Sequence, residues 1–285
     1  MKIILVDLNQ VTISALMAQI GNHKNIQIDE NMLRHMVLNM LRSYNTKFKH
    51  QYGEMVICVD SRNSWRRKFF PYYKAARRKS REASELDWTT VFAFMQNIKE
   101  EIDLYLPYKL IGLDGCEADD LIGTIIHYEG SLDSKKPILI LSGDKDFIQL
   151  HTYSNVSQYD STRKRSISND DPDKFLFEHI IKGDLSDGVP NIFSADNCFT
   201  LNIRQNNVTA KKLQAGLDNK EQFIIDNYRN WIRNSTLIDL KNTPEDLKAK
   251  IILEYEKPNP KNRSKMMEYF IDKKLRLLIE YIGDF

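Results

Sequence analysis

The stretch ILILSGDKDF at residues 138–147 runs four apolar residues into Ser142 and Gly143, then sets out two carboxylates, Asp144 and Asp146. An unbroken apolar run bounded by turn residues, without alternation, is the pattern of a strand buried on both faces of a parallel sheet. The acids cannot share that burial, so they mark the strand's end. The pattern recurs upstream. KIILVD (2–7) ends at Asp7 and MVICVD (55–60) ends at Asp60. YKLIGLDG (108–115) reads as a short strand and turn, and EADDLIGTIIHYEG (117–130) as a helix with acids in its first turn. Residues 30–48 and 88–106 carry apolar side chains at helical spacing, and Pro107 stops the second. Alternating strands and helices predict an α/β fold, a mostly parallel central sheet flanked by helices, with 137–141 as its last strand. From about residue 170 the pattern turns helical, from DPDKFLFEHIIKGD (171–184) to KMMEYFIDKKLRLLIEYI (265–282).

The chain has 285 residues, 42% of them hydrophobic, enough for one large or two smaller cores. Its 41 basic and 39 acidic residues nearly cancel, so any message lies in where the charge sits. Cys58, Cys116 and Cys198 are odd in number, far apart and lack metal-ligand spacing, which predicts a reduced, intracellular protein. MKIILVDLNQV reads as a first strand rather than a signal peptide, and no segment approaches a membrane span.

In an open parallel sheet the carboxyl ends of the strands share one edge, and sites form in the crevice there. Asp7, Asp60, the Glu117–Asp119–Asp120 group, Asp144 and Asp146 should therefore gather, and Asp184 and Asp187 of GDLSDG can complete the cluster. One aspartate after a strand is usually a turn former or helix cap. The coincidence at several strand ends is what favours a site. So many carboxylates raise one another's pKa unless cations neutralise them. Magnesium suits carboxylate oxygens and shares its other positions with phosphate, and two such ions clamp the attacking and leaving oxygens of a phosphodiester. The six histidines are scattered and show no HxxxH, so histidine offers no competing metal site.

Between two of the acids, residues 61–81 read SRNSWRRKFFPYYKAARRKSR, with nine Lys or Arg, no acid, and five interleaved aromatics. That mixture fits nucleic acid better than a plain solvated face, since cations pair with phosphates and rings stack on bases. Residues 61–86 lack a continuous apolar face. They are expected to be mobile until substrate orders them.

These blocks, in this order, resemble the flap endonuclease or 5′-nuclease family and its phage branch. ILVDLNQVTISAL resembles the first metal-binding strand, VICVDSRNSWRRKFFPYYKAARRKSREAS the second strand and helical arch, CEADDLIG the E-A-D-D helix start, ILSGDKDFIQL the S-x-D-x-D block, and IIKGDLSDGVPN the G-D-x-S-D loop. The resemblance covers nearly the whole chain. It implies a PIN-like catalytic domain over 1–180 with an arch at 61–86, and a helical DNA-binding domain over 181–285. Carried over, Asp7, Asp60, Glu117, Asp119 and Asp144 hold or orient the tighter metal, and Asp146, Asp184 and Asp187 serve the second. Asp120 counts among the metal-site acids too, more in support than by a direct bond. Lys74 and Arg77, in the family's YK-x-x-R element with Tyr73, approach the scissile phosphate. Arg66, Arg67 and Arg78 anchor other phosphates. Gly188 replaces the family's usual asparagine, and residues 189–213 lack its glycine hairpin, so only Lys211 and Lys212 remain there as phosphate contacts.

The implied activity is two-ion 5′→3′ exonuclease and flap cleavage with ribonuclease H activity, on RNA–DNA hybrid and on duplex DNA with a 5′ end or flap. Magnesium is the expected ion, with manganese able to substitute. The expected protein is a monomer in phage replication, meeting the single-strand-binding protein and sliding clamp and no membrane. An aspartyl phosphatase wants D-x-D on the first strand, where this chain has Asp7-Leu8-Asn9. A PIN-type ribonuclease would need neither arch nor helical extension, and a binding protein with a decayed site should have lost acids.

Overall fold

The computed structural model describes residues 2–20, 28–84, 86–132 and 135–285, without the side chains of residues 18, 19 and 78–80. Six strands form one sheet: β1 (Ile3–Asp7), β2 (Glu54–Cys58), β3 (Lys109–Ile111), β4 (Ile138–Leu141), β5 (Val156–Asp160) and β6 (Arg165–Ile167). Their order is β3-β2-β1-β4-β5-β6. All neighbours are parallel except the last pair, which is antiparallel. From β1 the chain winds one way to β2 and β3, then returns to β4 and β5 on the other side. The switch point thus lies between β1 and β4, where a crevice opens at the carboxyl edge.

The unalternating runs are explained by two cores. Ile4, Val6, Met55, Ile57, Leu139 and Leu141 face one, while Ile3, Leu5, Val56, Cys58, Ile138 and Ile140 face the other. Helices α1 (Leu8–Ile20), α2 (Glu30–Tyr52), α3 (Trp65–Phe69), α4 (Ala75–Glu82), α5 (Trp88–Tyr105), α6 (Ala118–Ser131) and α7 (Pro172–Lys182) accompany the sheet. After them come α8 (Ala210–Asp218), α9 (Lys220–Asp226), α10 (Tyr228–Ile238), α11 (Glu245–Glu256), α12 (Met266–Asp272) and α13 (Arg276–Ile279). The first core is closed by α2 and α5, the second by α6. The helical region expected after residue 180 returns twice to the sheet. Leu247, Ile251 and Tyr255 of α11 enter the second core, and Met266, Tyr269, Phe270 and Phe285 enter the first. No helix among the described residues is long and apolar enough to cross a membrane, and the three cysteines are buried and free.

Two expectations need correction. The last strand is not 137–141, because β5 and β6 follow it. VSQYD hides as a strand because its buried end carries Gln158 and Asp160 rather than an apolar run. Nor is the arch free of apolar anchorage. Phe70 and Tyr73 are buried with Ile180, Val189, Leu237 and Ile238, which pins residues 70–73 against α7 and α10. Only Phe69 of that stretch stands out as an exposed large ring.

Candidate metal centre

Each acid is placed by the backbone before it does any chemistry. Asp7 is the last residue of β1, and α1 starts directly after it. Its Oδ1 accepts the Gln10 amide at 3.0 Å, and Ser142 Oγ donates to Oδ2 at 3.3 Å. Asp60 follows β2 and accepts from the Ala118 amide at 2.7 Å and from Asn9 Nδ2 at 2.9 Å, which ties β2, α1 and α6 together. Asp144 follows β4 and accepts the Asp146 amide at 3.0 Å. The cap reading and the site reading are thus compatible: one oxygen fixes the backbone turn, leaving capacity on the carboxylate. Gln158, which carried no signal in the sequence, holds the same loop by donating to the carbonyls of Ser142 and Asp144 at 2.9 and 2.6 Å.

Asp7, Asp119 and Asp144 share an electrostatic signature. Burial and the neighbouring Asp60 push Asp7 up to about 8, with a further push from Asp144. Burial and Asp146 raise Asp144 to about 6. Asp119 is raised well above the usual carboxylate range by burial, then by Asp144 and Asp7, with Lys74 opposing. Three carboxylates held above the usual range for want of positive charge are a donor set for a hard divalent cation.

Glu117, Asp184 and Asp187 have protein cations. Lys74 Nζ lies 2.6 Å from Glu117 Oε1, and Tyr73 donates its hydroxyl to Glu117 Oε2 and Asp187 Oδ2, each at 2.8 Å. Burial alone would raise Glu117; Lys74 and Arg66 outweigh it and hold the group low. Arg77 donates to Asp187 Oδ1 at 2.5 Å and to the Ser186 carbonyl at 3.1 Å. Lys145 stands 2.8 Å from Asp184 Oδ2. Against the cost of burial, Lys145 and the Ser186 hydroxyl hold Asp184 down at about 2. The loop carrying these acids is built on glycine. Gly183 ends α7 at φ 69°. Gly188, at φ 70°, leaves room that a Cβ would fill to within 3.0 Å of the Tyr72 carbonyl. The loop thereby reaches the arch, where the Lys74 amide donates to the Asp187 carbonyl at 2.7 Å. Lys74 itself sits at φ 57°, a left-handed conformation costing roughly 1–2 kcal/mol in a residue with a Cβ.

Several expected roles change. Asp120 is not placed to bind metal. It is 0% exposed and fully engaged by Arg66, Trp65 Nε1, Thr243 Oγ1 and the Glu117 amide. Arg66 is not a phosphate anchor, being 2% exposed and bonded to Asp120, Glu117 and the Leu237 carbonyl. It locks α3, α6 and α10 together from below the site. Tyr73, 3% exposed, is a hydrogen-bond donor to the acids and offers no stacking face. Arg67 is exposed, as are Lys211 and Lys212 at the start of α8. Lys212 folds back over the Phe193 ring, 4.3 Å from its centre. The Arg78 side chain lies outside the described residues. One residue was dismissed with the other histidines: His179 of α7, whose Nε2 stands 3.0 Å from Asp146 Oδ1.

A carboxylate-lined crevice at the switch point of a parallel sheet, overhung by a basic helical arch, defines the class of metal-dependent phosphodiesterases. Comparison with known proteins narrows this. Residues 2–176 match the family described as 5′–3′ exonuclease, N-terminal resolvase-like domain, and residues 172–285 match that described as T4 RNase H, C terminal. The chain belongs to the 5′–3′ exonuclease family. It is similar to the ribonuclease H of Enterobacteria phage T4, 30% identical over 295 residues covering 99% of this chain and 95% of that protein. It also resembles a 5′–3′ exonuclease of Buchnera aphidicola, at 26% identity over 55% of this chain and 54% of that one. The fold matches the phage T5 D15 protein co-crystallised with metal ions, at a TM-score of 0.61 and 16% identity over 89% of this chain and 99% of the other. It likewise matches the T5 D15 flap endonuclease in complex with DNA and metal ions, at a TM-score of 0.56 and 17% identity over 96% and 98% of the two chains.

Proposed function

We propose that this nuclease is a magnesium-dependent 5′→3′ exonuclease and flap endonuclease with ribonuclease H activity, which removes RNA primers from lagging-strand fragments in phage replication. Its substrates are RNA–DNA hybrid and duplex DNA with a 5′ end or flap. The observation that carries this reading is the set Asp7, Asp119 and Asp144, the first buried and the others half-buried, all short of positive charge beside the arch lysine. Asp7, Asp60, Asp119 and Asp144, with Glu117, would hold one divalent ion, and Asp146, Asp184 and Asp187 a second. When bound, such ions supply Lewis-acid charge for attack on a phosphodiester and for departure of its 3′ oxygen.

The chain's own contribution is positioning. Lys74 and Arg77 rest on Glu117 and Asp187. A substrate phosphate offers them equivalent oxygens, so they would transfer from carboxylate to phosphate as the 5′ end enters. Arg67, Lys211 and Lys212 are exposed cations suited to the flanking backbone. The protein would act as a cytoplasmic monomer. Replication single-strand-binding protein and sliding clamp are its proposed partners on the strength of the family resemblance.

The test is digestion of a 5′-labelled RNA primer annealed to DNA, beside a matched flap, with and without magnesium. Short 5′ products from both substrates, only with the ion, are expected. Cleavage in the presence of a chelator, or none of the hybrid, would refute the assignment.

A further inference from the structure

His179 lies one turn before the end of α7, with its ring against Phe175 and only 6% of the residue exposed. Its Nε2 stands 3.0 Å from Asp146 Oδ1 and 3.6 Å from Asp184 Oδ2. Among the described residues, these three form a group whose donor atoms all lie within 4.8 Å of one another. The spacing is informative. Two ligands about 2.1 Å from one ion, separated by an angle between square and tetrahedral, stand about 3.0–3.4 Å apart. Both contacts from the imidazole are close to that value. Asp184 meanwhile is neutralised by Lys145, whose side chain is half exposed and free to withdraw toward solvent.

We propose that His179 is a nitrogen ligand of the second ion, and that it makes this position favour a borderline divalent transition metal of the zinc type over magnesium. The proposal rests on the two-ion reading above and adds an unequal pair of positions to it. Oxygen-only sets suit magnesium, whereas imidazole suits borderline transition ions. Around Asp7, Asp119 and Asp144 the donors are all oxygen. Around Asp146 and Asp184 one is not. A purely structural His179 would hydrogen-bond Asp146 and touch no metal, and the two roles differ in what they do to a spectrum.

The experiment adds Mn2+ to the metal-free, full-length protein and records nitrogen hyperfine coupling by pulsed electron paramagnetic resonance, with isotope-labelled histidine as control. One histidine nitrogen coupled to bound manganese is expected. His179→Gln should abolish that coupling and weaken Zn2+ at one site by about tenfold, while Mg2+ affinity stays within about twofold. Asp184→Asn should weaken both ions. The wild-type spectrum needs no variant to fold. Two bound manganese ions with no nitrogen coupling would overturn the histidine ligand and leave the two-ion reading standing. A single bound ion, coupled to no nitrogen, would remove the second position and this inference with it.

Discussion

Two groups of carboxylates meet at the carboxyl edge of the sheet, and the chain treats them differently. Asp7, Asp119 and Asp144 are displaced upward by burial and by neighbouring acids. Glu117 and Asp184 are held down by Lys74, Arg66 and Lys145 despite burial. The first group is short of positive charge until an ion arrives from outside. The second is already charged, and its cations must move when metal or phosphate arrives. Within one crevice there is thus a set built to take an ion and a set built to keep lysine and arginine waiting.

The sharpest way to break this contrast is to remove a carboxylate from the first set. Asp119→Asn should cut turnover by at least about a thousandfold, since nothing in the protein replaces its charge. Binding of flapped duplex should stay within about threefold, because phosphate contacts elsewhere carry affinity. Near-normal cleavage in saturating magnesium would end its role as a ligand.

A second test asks whether Arg66 belongs to this economy or to the fold. It is buried between Asp120 and Glu117. Arg66→Met strands Asp120 in a dry site, with an expected loss of about 3 kcal/mol or more in denaturant unfolding. Adding Asp120→Asn should recover part of that loss. An Arg66→Met protein of unchanged stability would mean the pair contributes nothing structurally.

Lys74 should lie next in size. Lys74→Ala removes a charge poised for the phosphate, and turnover is expected to fall about a hundredfold with little change in KM. Equal losses in turnover and KM would make it a general anchor instead.

The two sets also predict opposite responses to pH in metal-free protein. For Asp7 and Asp144 the folded values lie above the usual 3.8, so the native state holds more protons and stability falls as pH rises from about 4 to about 8. For Asp184 the folded value is near 2, so its contribution is present above 3.8 and lost as pH falls toward 2. The melting temperature without metal should therefore drop by about 3 °C or more between mildly acidic and mildly basic pH. Magnesium should restore it most at the basic end. A flat profile above pH 5 would show that the first set is not short of charge.

Much of this architecture was legible because burial on both faces writes an unbroken apolar run, and a strand end writes an acid after it. That logic located β1, β2 and β4 with Asp7, Asp60 and Asp144. It failed where burial is polar. β5 carries Gln158 inward to hold the Asp144 loop, and an inward glutamine breaks the apolar signature. It failed again for Arg66 and Tyr73, because a basic aromatic run reads as a surface whether or not the chain later covers it. His179 left no spacing signal: its partners lie 33 positions before it in Asp146 and five after it in Asp184. Only folding α7 against the loop after β4 brings them together.

The smallest effect separates two neighbours that the sequence made equivalent. Arg66 is engaged by protein groups through its Nε and Nη1, whereas Arg67 is exposed on the same short helix. A phosphate contact releases a condensed counterion, so removing one lowers the slope of log affinity against log salt by about 0.9. Arg67→Ala should reduce the slope for flapped duplex by about that amount, at a cost under about 1 kcal/mol in physiological salt. Lys211→Ala, from the exposed start of α8, should behave alike. Arg66→Met, measured where it remains folded, should leave the slope unchanged, because a guanidinium committed to Asp120 releases no counterion. Equal slope changes for Arg66 and Arg67 would mean that DNA binding pulls Arg66 out of its buried pair, and the partition between structural and phosphate-facing cations in the arch would have to be redrawn.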